Sequence, residues 1–196
     1  MNSIFQNALT FFLVTNPIGN SPAILALVKD FDFRAQKRII LREAFFALLV
    51  ALFFQYFGEM FLSLLNIKRY AVTMCGGTLL FLVSLQMIFG IARPSVTTSL
   101  KQEPFFVPIA TPLLSGPGLL TIIIIKSQLE NNNLLITLSI LIAWIGVFGV
   151  MAAAPYLQKV LGKRGLIALE QLMGLTLAMI STGMIVNGVN LFLDQL

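Results

Sequence analysis

The sequence predicts an all-α polytopic membrane protein with six transmembrane helices, arranged as two inverted three-helix repeats with broken first and fourth helices. Of its 196 residues, 58% are hydrophobic and the mean hydropathy is +0.92. Only 11% are charged, against about 25% in soluble domains. A proline-rich motif inside the first apolar stretch also returns 95 residues later with the same proline spacing. Paired breaks of this kind, in matching halves, are typical of inverted repeats in membrane proteins.

Six apolar segments are each long enough to cross a hydrocarbon layer of about 30 Å at 1.5 Å per helical residue. They cover residues of about 4–28, 44–65, 70–92, 104–126, 134–156 and 166–193. We therefore predict one integral membrane domain, 1–196. It divides into repeat one (about 1–92), a connecting loop (93–103) and repeat two (about 104–196).

The first motif, Asn16-Pro17-Ile18-Gly19-Asn20-Ser21-Pro22, interrupts the first span. Both prolines lack an N–H and crowd the carbonyl four residues earlier, so the helix should break here. Hydrocarbon offers no hydrogen bonds, so the break must be buried in protein or line a wet cavity. Because Ser is a good N-cap and Pro suits the first helical position, we expect a new half-helix to start at Ser21-Pro22.

The second motif, Pro112-Leu113-Leu114-Ser115-Gly116-Pro117-Gly118, predicts a second half-helix starting at Gly116-Pro117. The repeat extends further, because the pair Lys68-Arg69 recurs 95 residues later as Lys163-Arg164. Three spans per half is an odd number, so the second half should enter the membrane from the opposite side. Whether spans one and four are broken helices or re-entrant hairpins stays open at this stage.

Basic residues set the expected orientation. Ten of the thirteen Lys and Arg residues lie in the loops after spans one, three and five, which should therefore be cytoplasmic, with both termini outside. Since these charges occupy short loops beside a lipid bilayer, membrane orientation explains the net charge of +5 better than nucleic-acid binding does.

The two half-helix N-termini indicate a binding site for a small zwitterionic substrate. Unpaired N–H groups and the helix dipole favour a carboxylate, while carbonyls freed by proline, such as those of Leu13 and Pro108, favour an ammonium. A packing kink without function remains the alternative. The candidate substrate-binding residues are Asn16, Gly19, Asn20, Ser21, Thr111, Ser115, Gly116 and Gly118.

Glu59 is an acid well inside an apolar span. It is either a proton or cation relay or a carboxylate that reaches the outer headgroups. The chain has no histidine and one cysteine, Cys75, and its acids form no evident pair. We therefore predict no catalytic residue, no metal, no cofactor and no enzymatic activity.

These motifs resemble the MarC family of bacterial inner-membrane proteins, which includes the small neutral amino-acid transporters called SnatA. The resemblance covers essentially the whole chain. It implies six membrane spans and, for the characterised transporters, glycine and alanine as substrates. Many members have Asp in place of Asn16 and Ala in place of Ser115. The resemblance lies in both proline motifs, in Val107-Pro108-Ile109-Ala110-Thr111 before the second, in Gly76-Gly77 and in Met173-Gly174-Leu175.

Two classes of function follow. The chain is expected to be a secondary transporter of small neutral amino acids, coupled to H⁺ or Na⁺. The alternative is a non-transporting integral membrane protein with a structural or regulatory role, or an exporter of another small metabolite. The sequence does not fix the oligomeric state.

Overall fold

The computed structural model describes residues 2–28, 31–90, 114–130 and 132–195, and these form seven helices. Helices α6 and α7 belong to one helical stretch, Asn133–Leu193, which is kinked at Gly162 (φ 63°, ψ −179°). A positive φ is accessible to glycine at little cost. The helices are α1 (Asn2–Thr15), α2 (Pro17–Leu27), α3 (Phe33–Leu64), α4 (Arg69–Phe89), α5 (Pro117–Leu129), α6 (Asn133–Tyr156) and α7 (Arg164–Leu193).

The prediction of an all-helical membrane protein is confirmed. Helices α3, α4, α6 and α7 are long and apolar enough to cross a membrane, and they correspond to the predicted second, third, fifth and sixth spans. The predicted first span is divided into α1 and α2. Of the predicted fourth span, the described part is the shorter apolar helix α5.

The basic segment 29–43, expected to be a loop, is largely helical. Helix α3 begins at Phe33, because the Asp32 side chain caps it by accepting from the backbone N–H groups of Arg34 (3.1 Å) and Ala35 (3.4 Å). A side-chain cap of this kind accepts hydrogen bonds from the first backbone N–H groups of a helix, which have no partner within the helix. Helix α3 is therefore 32 residues long, or about 48 Å at 1.5 Å per residue.

Helices α1 and α2 both pack against the stretch 133–193 rather than against each other. This arrangement favours a broken span over a re-entrant hairpin for the first span. The interior is anchored by Trp144 of α6, which is fully buried and donates its indole N–H to the Ala44 carbonyl of α3 at 2.9 Å.

Helix α4 approaches its neighbours closely through glycines. A Cβ added at Gly76 would lie 2.5 Å from the Thr121 side chain of α5, and one at Gly77 would lie 2.9 Å from Ile185 of α7. Small residues let helix backbones approach in this way inside membranes. Helix α4 is consequently held between α5 and α7.

Large apolar side chains cover the outer surface of the helices. Phe5, Ile145 and Met179 are each more than two-thirds exposed. Such a surface is a liability in water, but hydrocarbon tails are as apolar as these side chains.

Candidate functional site

Asn16 marks the first break. It separates α1 from α2 and lies in the left-handed region (φ 49°, ψ 53°), which Asn adopts more readily than most residues. Its side-chain Oδ1 accepts from the Gly19 N–H at 3.1 Å. Asn16 is therefore the N-cap of α2, and Pro17 takes the first helical position that its fixed φ suits.

The predicted start of this half-helix at Ser21-Pro22 is wrong, because α2 begins at Pro17 and contains Pro22 in its interior. The Ser21 hydroxyl donates instead to the carbonyl of Ile18. That carbonyl is four residues before Pro22 and would otherwise lose its backbone partner. Ser21 thus compensates for the proline within the helix and does not cap it.

The polar side chains of the first break are buried. Asn16, Asn20 and Ser21 are 2%, 5% and 0% exposed. The Asn20 Nδ2 donates to the Thr15 carbonyl at 3.0 Å, across the break. Side chains of the motif therefore donate hydrogen bonds to some of the carbonyls that the helix break leaves without a backbone partner. Such internal hydrogen bonds are required where the backbone is buried in a membrane.

Met87 of α4 closes this first break. The Asn16 Nδ2 lies 3.3 Å from the Met87 sulfur, and a Cβ added at Gly19 would lie 2.5 Å from the Met87 methyl. A cavity of about 10 Å³ remains beside Asn16, with Met173 of α7 in its lining. That is about the least volume that holds one water, so this cavity as it stands is too small for an amino acid.

The second predicted half-helix start matches the structure, because α5 starts at Pro117 with Gly116 as its N-cap residue. The Gly116 carbonyl accepts the Leu120 N–H at 3.1 Å, but no side chain caps the helix. The nearby Ser115 hydroxyl donates to the Ala47 carbonyl of α3 at 2.7 Å instead. Among the described residues, no side chain accepts from the first-turn N–H groups of α5.

Gly118 lets α4 come close to this second helix start. A Cβ added there would lie 2.7 Å from the Leu80 side chain of α4. Leu80 and Met87 are seven residues apart, which is two turns or about 10 Å along one face of the helix. Both breaks therefore border the same face of α4.

Sequence reasoning missed that helix α4 contributes to the candidate site. Its contacting residues, Leu80 and Met87, are of types that are common in any protein core. Thr111 and Pro108 of the predicted site lie outside the described residues. The remaining candidates fall into two groups, one at each helix start, and Asn16, Gly19 and Gly118 among them contact α4. Asn16, Gly19, Asn20 and Ser21 form the first, and Ser115, Gly116 and Gly118 the second.

The two acids of α3 occupy different environments. Glu59 is exposed on the outer side of the helix, which favours its interpretation as an interface carboxylate. Glu43 is only 1% exposed, and its Oε1 lies 3.2 Å from the Arg42 Nε. Sequence reasoning missed Glu43 because it fell in the segment expected to be a basic loop. Within the described part of the chain, no three His, Cys, Asp or Glu side chains group as metal ligands would.

The long apolar helices define a multi-pass helical membrane protein, and its similarity to inner-membrane proteins assigns it to that membrane. The chain belongs to the MarC family of integral membrane proteins, whose model matches residues 1–193. This is not a known enzyme family.

Relatives match over almost their whole length. The UPF0056 inner membrane protein YhgN of Escherichia coli K12 is 34% identical over 195 residues, which is 98% of this chain and 99% of that protein. A UPF0056 membrane protein of Buchnera aphidicola from Schizaphis graminum is 36% identical over 190 residues, covering 96% and 97%. One from Chlamydia pneumoniae is 31% identical over 187 residues, covering 94% and 92%. No solved structure matches the chain significantly.

Proposed function

We propose that this protein is a secondary transporter of small neutral amino acids, such as glycine and alanine, and not an enzyme. The observation that carries the proposal is that two proline-started helices, α2 and α5, begin beside one face of α4, where Gly19 and Gly118 are buried against Met87 and Leu80. Interrupted helices near the midplane are the usual site of substrate binding in transporters built from inverted repeats.

The start of α5 is the better carboxylate site of the two. Its first-turn N–H groups have no side-chain cap, whereas the Asn16 side chain already occupies the Gly19 N–H of α2. A helix N-terminus attracts an anion through these donors and through its dipole.

The size of the site favours a small side chain. Gly19 and Gly118 are in contact with Met87 and Leu80, so the space between each break and α4 is already filled. A substrate must displace the flexible Met87 side chain, and only a small one fits the space that a methionine leaves. We further propose six spans in two inverted repeats, so that rocking of one repeat against the other exposes the site to each side in turn.

One observation favours the alternative of a non-transporting membrane component. The described cavity beside Asn16 is only about 10 Å³, which a packing kink would also produce. An exporter of another small metabolite would share the same helix starts, so substrate range must be measured.

Binding and exchange by purified protein test the proposal. We expect glycine and alanine to raise the melting temperature of the wild-type protein and to exchange across liposomes that contain it. Gly118→Ala should lose both effects, because its Cβ intrudes between α5 and Leu80. Gly149→Ala is the matched control, because nothing lies within 4 Å of a Cβ there.

A wild-type protein that neither binds nor exchanges either amino acid would refute the transport proposal. If Gly118→Ala folds and exchanges normally, the substrate site is elsewhere. Screening leucine, lysine and aspartate in the same assay separates a small-amino-acid transporter from an exporter with another substrate.

A further inference from the structure

Met87 of α4 contacts two neighbouring helices at the first break. Its sulfur accepts from the Asn16 Nδ2 at 3.3 Å, and a Cβ added at Gly19 would lie 2.5 Å from its methyl carbon. A Cβ added at Gly174 of α7 would lie 3.0 Å from the Met87 Cβ. Met87 is 1% exposed. Its side chain therefore fills the space that two glycines leave between α2, α4 and α7.

The Met87 side chain is held only weakly in this space. Thioether sulfur is a weak hydrogen-bond acceptor, and the Asn16 Nδ2 donates to no other atom of the described residues. Methionine is unbranched and has three rotatable bonds, so it changes conformation more readily than a branched side chain does. Met87 thus occupies its space without being fixed in one conformation.

Met87 lies on the same face of α4 as the helix start that is proposed to bind the substrate carboxylate. Gly118 of α5 packs on Leu80, and the successive buried residues of this face are Leu80, Ser84 and Met87, which we call the α4 strip. Leu80 and Met87 are about 10 Å apart along the helix axis. The α5 start and Met87 therefore lie at the two ends of the α4 strip.

We propose that Met87 sets the size limit for the substrate, an inference that rests on the transport function and on the α5 carboxylate site proposed above. With the carboxylate at the α5 start, the side chain of a bound amino acid extends along the α4 strip and competes with the Met87 thioether for the same space. Glycine and alanine need little of that space, whereas leucine and methionine need most of it. Asn16 and Gly19 act through Met87, as positioning residues that hold the thioether in place.

Substrate preference separates this role from a purely structural one. If Met87 only packed the interior, truncating it would lower stability and the transport of every substrate alike. A residue that limits size changes the ratio between substrates, because one methylene in an apolar pocket is worth about 10–200-fold in discrimination. The ratio of large to small substrates is therefore the quantity to measure.

The test measures exchange of radiolabelled glycine, alanine, leucine and methionine in liposomes. We expect Met87→Ala to raise the exchange of leucine and methionine relative to glycine by about tenfold or more, because it frees the space of the thioether. Met87→Leu should keep the wild-type preference, since it conserves volume while removing the sulfur.

Met74→Ala is the matched control for Met87→Ala. It makes the same truncation on the same helix, about 20 Å from Met87 along the axis, where the Met74 Cγ would lie 2.5 Å from a Cβ added at Gly188 of α7. Because Met74 also packs on a glycine of α7, this variant reproduces the loss of packing without changing the α4 strip. It should keep the wild-type ratio of leucine to glycine.

The outcomes separate the two proposals. A wild type that exchanges neither glycine nor alanine refutes the transport function itself. Normal glycine exchange in the wild type, with an unchanged substrate ratio in Met87→Ala, overturns the role of Met87 alone. The same rise in Met74→Ala would assign the effect to general loosening of the helix packing, and the same rise in Met87→Leu would assign it to the sulfur. Either result overturns the size limit.

A binding measurement in detergent covers variants that do not reconstitute into liposomes. Truncating a buried side chain leaves apolar space that a ligand can fill, so free methionine should raise the melting temperature of Met87→Ala more than that of the wild type or of Met74→Ala. If Met87→Ala does not fold, Met87→Val removes less volume and should show the same effect at smaller size. A folded Met87 variant that methionine stabilises no more than it stabilises the wild type overturns the proposal.

Discussion

Ser21 and Pro22 show how a single hydroxyl keeps a proline inside a membrane helix. Proline removes the N–H that would bond the Ile18 carbonyl, and the Ser21 hydroxyl takes its place. A buried carbonyl left without a partner costs about 1–3 kcal/mol, and Ser21 is fully buried. The value of this hydroxyl therefore depends on the proline beside it.

A double-mutant cycle tests that dependence. Ser21→Ala should lower the free energy of unfolding by about 1–3 kcal/mol, because the Ile18 carbonyl loses its donor. In the Pro22→Ala background the same change should cost much less, since that substitution restores a backbone N–H that bonds the Ile18 carbonyl. Unfolding in mixed detergent, followed by circular dichroism, measures both.

Ser127→Ala is the matched control for this cycle. The Ser127 hydroxyl also donates to a helical carbonyl, that of Ile123 at 2.9 Å, but no proline follows to remove the backbone donor. Its loss should change the free energy of unfolding by less than about 0.5 kcal/mol. Equal costs for Ser21→Ala with and without Pro22 would contradict the proposed pairing.

At the scale of helices, the two breaks are built differently although their prolines have the same spacing. Helix α2 starts at the first proline of its motif, where Asn16 supplies a capping side chain. Helix α5 starts at the second proline of its motif, without a side-chain cap. The equal spacing thus predicted two breaks but not where each new helix begins.

Asn16 combines two roles that substitutions can separate. Asn16→Gly keeps the left-handed backbone and loses only the cap, whereas Asn16→Ala loses the cap and strains the backbone. We expect Asn16→Ala to destabilise the protein by about 1 kcal/mol or more beyond Asn16→Gly, because left-handed backbone costs an L-residue about 1–2 kcal/mol. Thermal melts of both variants in detergent measure the difference, and equal melting temperatures would mean that the left-handed turn is not required.

Helices α4 and α6 offer a second comparison at this scale, between a packed glycine of α4 and an open glycine of α6. Gly76→Ala places a methyl 2.5 Å from Thr121, so we expect a loss of about 1–3 kcal/mol from overpacking. Gly149→Ala meets nothing within 4 Å and should be neutral or stabilising by up to about 1 kcal/mol, since alanine is the better helix former. If both variants melt alike, the close contact of α4 with α5 is not a source of stability.

Across the whole molecule, sequence patterns predicted what depends on local chemistry and missed what depends on packing. Apolar length located the four long spans, and missing proline N–H groups located both breaks. The contact of α4 with the two helix starts, through Leu80 and Met87, could not be predicted from the sequence. Apolar residue types indicate burial but do not identify the residues that they contact. The buried Glu43 was missed for a related reason: its neighbours in sequence are basic and indicated a loop, whereas the structure buries it in helix α3.

The distribution of charge makes a last prediction about the whole molecule. Arg38 and Lys68 flank the apolar part of α3, and both are exposed. The helix is about 48 Å long at 1.5 Å per residue, well beyond the hydrocarbon thickness of about 30 Å, so its two ends lie on opposite sides. Ten of the thirteen basic residues fall in loops on the side of Arg38, which should therefore be cytoplasmic.

Single-cysteine labelling in a Cys75→Ala background measures this orientation. Spheroplasts expose the outer face of the inner membrane. An impermeant maleimide added to them should therefore label Lys68→Cys without permeabilisation. It should reach Arg38→Cys only after the membrane is permeabilised, because positive charge is retained on the cytoplasmic side. Labelling of both variants in denaturing detergent is the control for reactivity. The reverse pattern in intact spheroplasts would place Arg38 outside and invert the predicted orientation.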